Sequence, residues 1–138
     1  RAYMAGRFRE LMEAVGRAVD AETGAWWQVM DQPGRKGNYI ESSAGSMFVY
    51  SMLKGLRLGV LSPQASFSST GSSGTSQRGF RDTATRAYEY IARTFVVDSG
   101  TATLGWNGTV GVCSLNSTAT YEVSVAPHHD IWDEMLIS

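Results

Sequence analysis

Apolar residues recur along this chain in distinct rhythms, and each rhythm predicts an element. Over residues 2–19, Phe8, Leu11, Met12, Val15 and Val19 return at three- and four-residue steps, with Arg7, Arg9, Glu10, Glu13 and Arg17 mostly on the other side. That spacing predicts an amphipathic helix. Residues 20–24 read as a loop. Residues 26–31 set Trp26, Gln28 and Met30 against Trp27 and Val29, the alternation of a short extended segment. "QPGRKGN" is a turn-rich connection. Ser42 or Ser43 is a suitable N-cap for a second helix over residues 44–57. It carries Met47, Phe48, Val49, Tyr50, Met52, Leu53 and Leu56, followed by Leu58, with only Lys54 and Arg57 charged. A helix apolar nearly all round belongs inside a fold. Gly59 suits its C-cap and Pro63 its stop.

"SPQASFSSTGSSGTSQRG" is rich in Ser, Gly and Thr and reads as a flexible surface loop, centred on residues 64–79. Helical spacing resumes in "FRDTATRAYEYIARTFV", with Phe80, Ala84, Ala87, Tyr88, Ile91 and Phe95 on one face. The stretches "TATLGW", "GTVGVCSL" and "ATYEVSV" alternate as short strands, and Asn107-Gly108 is a strong hairpin turn. The order is amphipathic helix, inner helix, amphipathic helix, small β tail: a mainly α chain. Alternating outer and inner helices make the repeat of an α/α toroid, here about one and a half hairpins of it. Such hairpins bury their inner faces against neighbours. Met47, Phe48, Leu53 and Leu56 would then lack half their partners, and self-association through the exposed inner helix is expected.

The length of 138 residues suits a single domain. With 12 basic and 13 acidic residues, the net charge of -1 carries no electrostatic footprint for nucleic acid or an anionic membrane. No apolar run approaches the roughly 18 residues of a membrane span, and no signal-peptide apolar region opens the chain. Cys113 is the one cysteine, so no intrachain disulfide forms, and it reads as a small buried apolar residue. Two sequons, Asn107-Gly108-Thr109 and Asn116-Ser117-Thr118, matter only on a secretory route. Adjacent histidines in "HHDIWDE" share one metal poorly, so His128, His129, Asp130 and Asp133 predict no metal site. "STGSSGTSQRG" lacks the spacing that cradles phosphate, and "SAGSM" lacks that of a serine-nucleophile elbow.

One long stretch is more specific. "DAETGAWWQVMDQPGRKGNYIESSAGSMFVYSMLKGLRLGVL" resembles the C-terminal part of the unsaturated rhamnogalacturonyl hydrolases, glycoside hydrolase family 105, with family 88 as a relative. Ala25, Trp27 and Val60 stand where that family has Leu, Tyr and Tyr. "GWNGTVGVCSLNSTATYE" is similar to the tail of fungal members. The resemblance implies that residues 1–138 are the C-terminal portion of one (α/α)6 toroid of the six-hairpin glycosidase type, with its pocket at one mouth of the barrel. It implies a reaction in which an Asp, as general acid and base, hydrates the C4=C5 double bond of a terminal unsaturated galacturonic acid. It implies no metal or organic cofactor and departs from the two-carboxylate scheme of most glycosidases.

Three features depart from the family. Its catalytic Asp motif and R-G-N-G-W segment lie upstream of Arg1, and neither occurs in this chain. Residues 66–78 replace a shorter connection, as an insertion would. After Glu122 the chain runs "VSVAPHHDIWDEMLIS" and leaves the pattern. No catalytic residue is therefore assigned, and the alternative is an inactive fragment or pseudo-enzyme that binds carbohydrate weakly at most. The sequons and the fungal-like tail lean towards an extracellular location.

The expected partner is an unsaturated uronic-acid oligosaccharide. Trp26 and Gln28 either line the sugar site, the indole stacking on a ring and the amide bonding hydroxyls, or in the case of Trp26 pack the inner wall. Trp27 reads as packing. Tyr39, Glu41, Ser42, Ser43 and Ser46 open the inner helix, whose first N–H groups favour an anion such as the uronate. The serines are equally suited to plain capping. Arg35 and Lys36 could attract an acidic substrate but fit a solvated loop better. Glu41 is not assigned as the acid, since that would contradict the family.

Overall fold

The computed structural model describes residues 2–71, 74–100 and 103–110. Three helices of equal length carry the fold: α1 (Ala2–Arg17), α2 (Ser42–Arg57) and α3 (Phe80–Phe95). Two antiparallel pairs attach to them: β1 (Ser66–Gly71) with β2 (Gly74–Gly79), and β3 (Val96–Asp98) with β4 (Leu104–Trp106). The architecture is mainly helical, with a small sheet after the last helix.

One core joins the elements. Met12, Val15 and Val19 supply it from α1 and the residues after it, Val49 and Met52 from α2, and Phe80, Ala84, Ala87, Ile91 and Phe95 from α3. Leu11 lies beside the α1 stripe and is exposed, because Met12, Val15 and Gly16 take the inward positions. On α3 the inward set is completed by Thr83, while Tyr88, one position past Ala87, turns to solvent.

Small residues set the approach of the helices. A Cβ on Gly45 would lie 2.9 Å from Ile91 of α3, and one on Gly55 would lie 2.7 Å from Leu61 and 2.8 Å from Phe8. Gly59 has φ +67° just past the helix, and the N–H groups of Val60 and Leu61 return to the Gly55 carbonyl at 2.9 and 3.1 Å. These bonds satisfy carbonyls that a helix end leaves open.

Two expectations from the sequence are corrected. The segment read as a flexible loop over 64–79 contains paired strands, Ser66 opposite Gly79 through Gly71 opposite Gly74. Its anchor is one apolar residue, Phe67. The ring lies on Gly16, where an added Cβ would meet it at 2.5 Å, and tilts against Phe80 at 5.1 Å between centroids. The second correction concerns α2. Its burial is one-sided: Met47 and Tyr50 are 62 % and 64 % exposed, and Leu53 is open as well. Only α1 and α3 pack against it among the described helices, so its remaining apolar face has no cover among the described residues.

Strand β4 falls within the expected "TATLGW", but its partner is β3. The later strands expected around "GTVGVCSL" and "ATYEVSV", Cys113, Asn116 and the "HHDIWDE" cluster lie outside the described residues, apart from positions 108–110.

Candidate functional site

The extended segment at the tryptophans finds its partner just before α2. An antiparallel bridge joins Trp27 to Ile40. The Gln28 N–H donates to the Tyr39 carbonyl at 2.8 Å, and the Glu41 N–H donates to the Trp26 carbonyl at 2.9 Å. Alternation puts Trp26, Gln28, Tyr39 and Glu41 on one side of this ladder and Trp27 and Ile40 on the other. Asn38 closes the intervening loop: its Nδ2 donates to the carbonyls of Val29 (2.9 Å) and Gln32 (2.6 Å), and its Oδ1 accepts from the Val29 N–H (3.1 Å).

Trp26 is wall and not platform. It is 0 % exposed, its Nε1–H donates to the Val15 carbonyl at 2.8 Å, and its ring meets Phe48 edge-on at 5.1 Å. Of the two roles weighed for it, packing is the one with geometry behind it, and no ring face is open to a sugar. Gln28 and Tyr39 remain half-buried.

Residues 20–24 form the support beneath. The Asp20 Oδ2 accepts from the Thr23 N–H and hydroxyl, both at 2.8 Å, and its Oδ1 accepts from Trp27 Nε1–H at 3.1 Å. Burial alone would raise the Asp20 carboxyl, but these donors favour its charged form and hold it below the ordinary aspartate value. Arg86 reaches across from α3 and donates to the carbonyls of Ala21 (2.8 Å) and Glu22 (2.5 Å). Its side chain lies so close over Gly24, at φ +76°, that a Cβ there would be 2.7 Å from Arg86 Cγ.

The start of α2 is organised by Glu41, not by a serine. Glu41 is the N-cap, 2 % exposed, and its Oε2 accepts from the Ala44 N–H at 2.6 Å. Its Oε1 accepts from the Ser43 hydroxyl at 2.7 Å and the Val110 N–H at 3.3 Å. Ser42 is fully buried and ties α2 to the chain after β4. Its Oγ–H donates to the Asn107 carbonyl (2.8 Å), and its Oγ accepts from Trp106 Nε1–H (2.9 Å) and lies 3.0 Å from the Thr109 hydroxyl. The Ser42 N–H donates to the Gly108 carbonyl at 2.9 Å. The capping expected of Ser42 and Ser43 therefore falls to the residue before them, and Ser42 is sealed inside. Ser43 and Ser46 stay half-buried, and Ser46 Oγ–H donates to the Ser42 carbonyl at 2.8 Å.

Beside Ser46 an open groove of about 440 Å³ runs between α2 and α3. Val49, Tyr50, Leu53, Tyr88 and Trp106 line it, and Trp106 is 50 % exposed. Arg35 and Lys36 are exposed on the distant loop, the Arg35 guanidinium donating to Gln32.

Neither carboxyl group here is placed to pass a proton to a ligand, since Asp20 and Glu41 each receive three protein donors. Among the described residues no three His, Cys, Asp or Glu side chains gather as a metal site. No described helix is long and apolar enough to cross a membrane. The roles of Asn38, Arg86 and Trp106 were not legible beforehand. The partners named for them lie 6 to 65 residues away.

The family model described as Glycosyl Hydrolase Family 88 matches residues 1–124. The chain belongs to this family. A solved structure described as a family 105 glycoside hydrolase of C. acetobutylicum superposes with a TM-score of 0.71 at 25 % identity, over 91 % of this chain and 32 % of that one. Protein Atu3128 of Agrobacterium fabrum and a 24.9 kDa protein in the picA locus of Rhizobium radiobacter are each 44 % identical over 55 residues, 40 % of this chain. The matched part spans 23 % of the length of these curated relatives. This family 88 chain is thus glycoside hydrolase-like, and its helices have the fold of part of the family 105 enzyme.

Proposed function

We propose that this chain forms one wall of the sugar pocket of a glycoside hydrolase that releases unsaturated galacturonic acid from rhamnogalacturonan oligosaccharides. The observation that supports this reading is the backbone ladder that sets half-buried Gln28 opposite Tyr39 just before α2, beside half-buried Ser43 and buried Trp26, Glu41 and Ser42. A few fixed polar groups on a pre-formed base is usual for a ligand wall. The amide of Gln28 both donates and accepts, as sugar hydroxyls require.

Hydration of the C4=C5 bond places a proton on C4 and a hydroxyl on C5. C5 is then a hemiketal, the ring opens to a ketone, and C1 is left as a hemiacetal that collapses to an aldehyde with loss of the next sugar. That sequence needs one acid–base group and a water, and no nucleophile from this wall. The acid is an Asp outside residues 1–138, and the task of the wall is to hold the sugar next to the uronate and restrict water. No metal enters the scheme.

The reading is tested on unsaturated rhamnogalacturonyl disaccharide by loss of double-bond absorbance. A longer polypeptide that adds the preceding toroid helices should turn it over, and Gln28→Ala should raise KM about tenfold, the order of one hydrogen bond to a ligand. A non-catalytic sugar-binding module, the other reading, would leave the double bond intact in every such polypeptide.

A further inference from the structure

We infer that the Ser43–Ser46 side of α2 receives the hydroxyl groups of a neutral sugar ring and turns away an acidic one, with Glu41 as the positioning residue. This rests on the carbohydrate reading above and names which part of the ligand meets this wall.

A serine hydroxyl has one proton to give and two lone pairs to offer. The proton of Ser43 goes to Glu41 Oε1 at 2.7 Å, and that of Ser46 goes to the Ser42 carbonyl at 2.8 Å. The Ser42 carbonyl has no proton to give, and both Glu41 oxygens already accept backbone N–H groups from Ala44 and Val110, so each hydroxyl is the donor. Both serines, three positions apart and therefore on one helix face, present lone pairs alone. The Ala44 N–H could have met an anion at this helix start; Glu41 Oε2 already takes it at 2.6 Å.

A ligand carboxylate has no proton to offer two acceptors, and it would approach the Glu41 carboxylate that lies behind Ser43. A sugar hydroxyl has the proton they lack. The half-exposed indole of Trp106, held by its Nε1–H bond to Ser42 and bordering the same groove as Ser46, adds a flat apolar surface for the C–H face of a ring. Glu41 never touches this ligand. It acts by fixing the Ser43 hydroxyl as an acceptor.

The test is amide-resolved NMR titration of the chain with methyl α-L-rhamnoside as the neutral probe and galacturonate as the acidic one. Rhamnoside should shift the amides of Ser43, Ala44 and Ser46 at a concentration about tenfold lower than galacturonate. In Glu41→Gln the amide can donate to Ser43 Oγ and turn its proton outward, so the tenfold preference should shrink to about even. Ser43→Ala combined with Ser46→Ala keeps the Glu41 cap and should lose the rhamnoside response with an unchanged melting temperature. Galacturonate shifting these amides at equal or lower concentration would overturn the inference, as would an unchanged preference in a folded Glu41→Gln protein. A rhamnoside response confined to other residues overturns this inference alone. No response to either sugar anywhere in the chain overturns it together with the carbohydrate reading.

Discussion

Trp26→Phe separates packing from binding at the most conspicuous residue of the chain. The indole is fully buried, donates to the Val15 carbonyl at 2.8 Å and stands edge-on to Phe48. Phenylalanine keeps the aromatic contact and loses the donor. The Val15 carbonyl also accepts from the Ala18 N–H at 3.2 Å, so it is not orphaned, and the hydrogen-bond loss is about 1 kcal/mol. The smaller ring leaves a void in a close-packed site, for about 1.5 kcal/mol more. The expected destabilisation of about 2.5 kcal/mol, with a urea m-value of about 2 kcal/mol/M, lowers the unfolding midpoint by roughly 1.3 M. The protein should still fold, since domains of this size carry about 5–15 kcal/mol. Sugar affinity of the folded variant should be unchanged. An unchanged midpoint with lost sugar binding would refute the packing account and return Trp26 to the ligand surface.

Other perturbations probe other joints. Phe67→Ala removes the single apolar anchor of the β1–β2 pair, and should cost about 3–4 kcal/mol in a thermal or urea melt, with the hairpin amides losing exchange protection first. The Asp20 carboxyl, held below its ordinary 3.8, lends stability that is complete above that value and lost as the pH falls through its lower folded value; Asp20→Asn should flatten this acid limb of a stability–pH curve. The uncovered face of α2 predicts concentration-dependent self-association of the isolated chain in analytical ultracentrifugation, reduced by Tyr50→Lys with Leu53→Lys.

The helices were legible because their apolar spacing is strong. The expected 2–19, 44–57 and 80–96 became Ala2–Arg17, Ser42–Arg57 and Phe80–Phe95. The finer assignments failed where one side chain overrode a tendency. Serine is the better N-cap in general, but Glu41 is long enough to reach the Ala44 N–H from one position earlier, which frees Ser42 to serve the Trp106–Asn107–Thr109 side. The hairpin hid inside low-complexity sequence because its tertiary anchor is one residue, Phe67. The polar character of α2 misled in the opposite direction: too few charges implied full burial, yet Met47, Tyr50 and Leu53 face outward among the described residues. At the site, the pairing of Gln28 with Tyr39 was not readable from alternation, because a bridge across a 10-residue turn depends on Asn38 closing it.

The central claim is that this chain supplies a wall to a glycoside hydrolase pocket and leaves the acid to another part of the toroid. The direct measurement is double-bond absorbance with unsaturated rhamnogalacturonyl disaccharide, comparing the 138-residue chain with a polypeptide extended by the preceding helices. The account predicts no loss with the chain alone and turnover in the extended polypeptide that falls in Gln28→Ala and Ser43→Ala. Turnover by the chain alone would contradict it, because an acid would then have to lie within these residues.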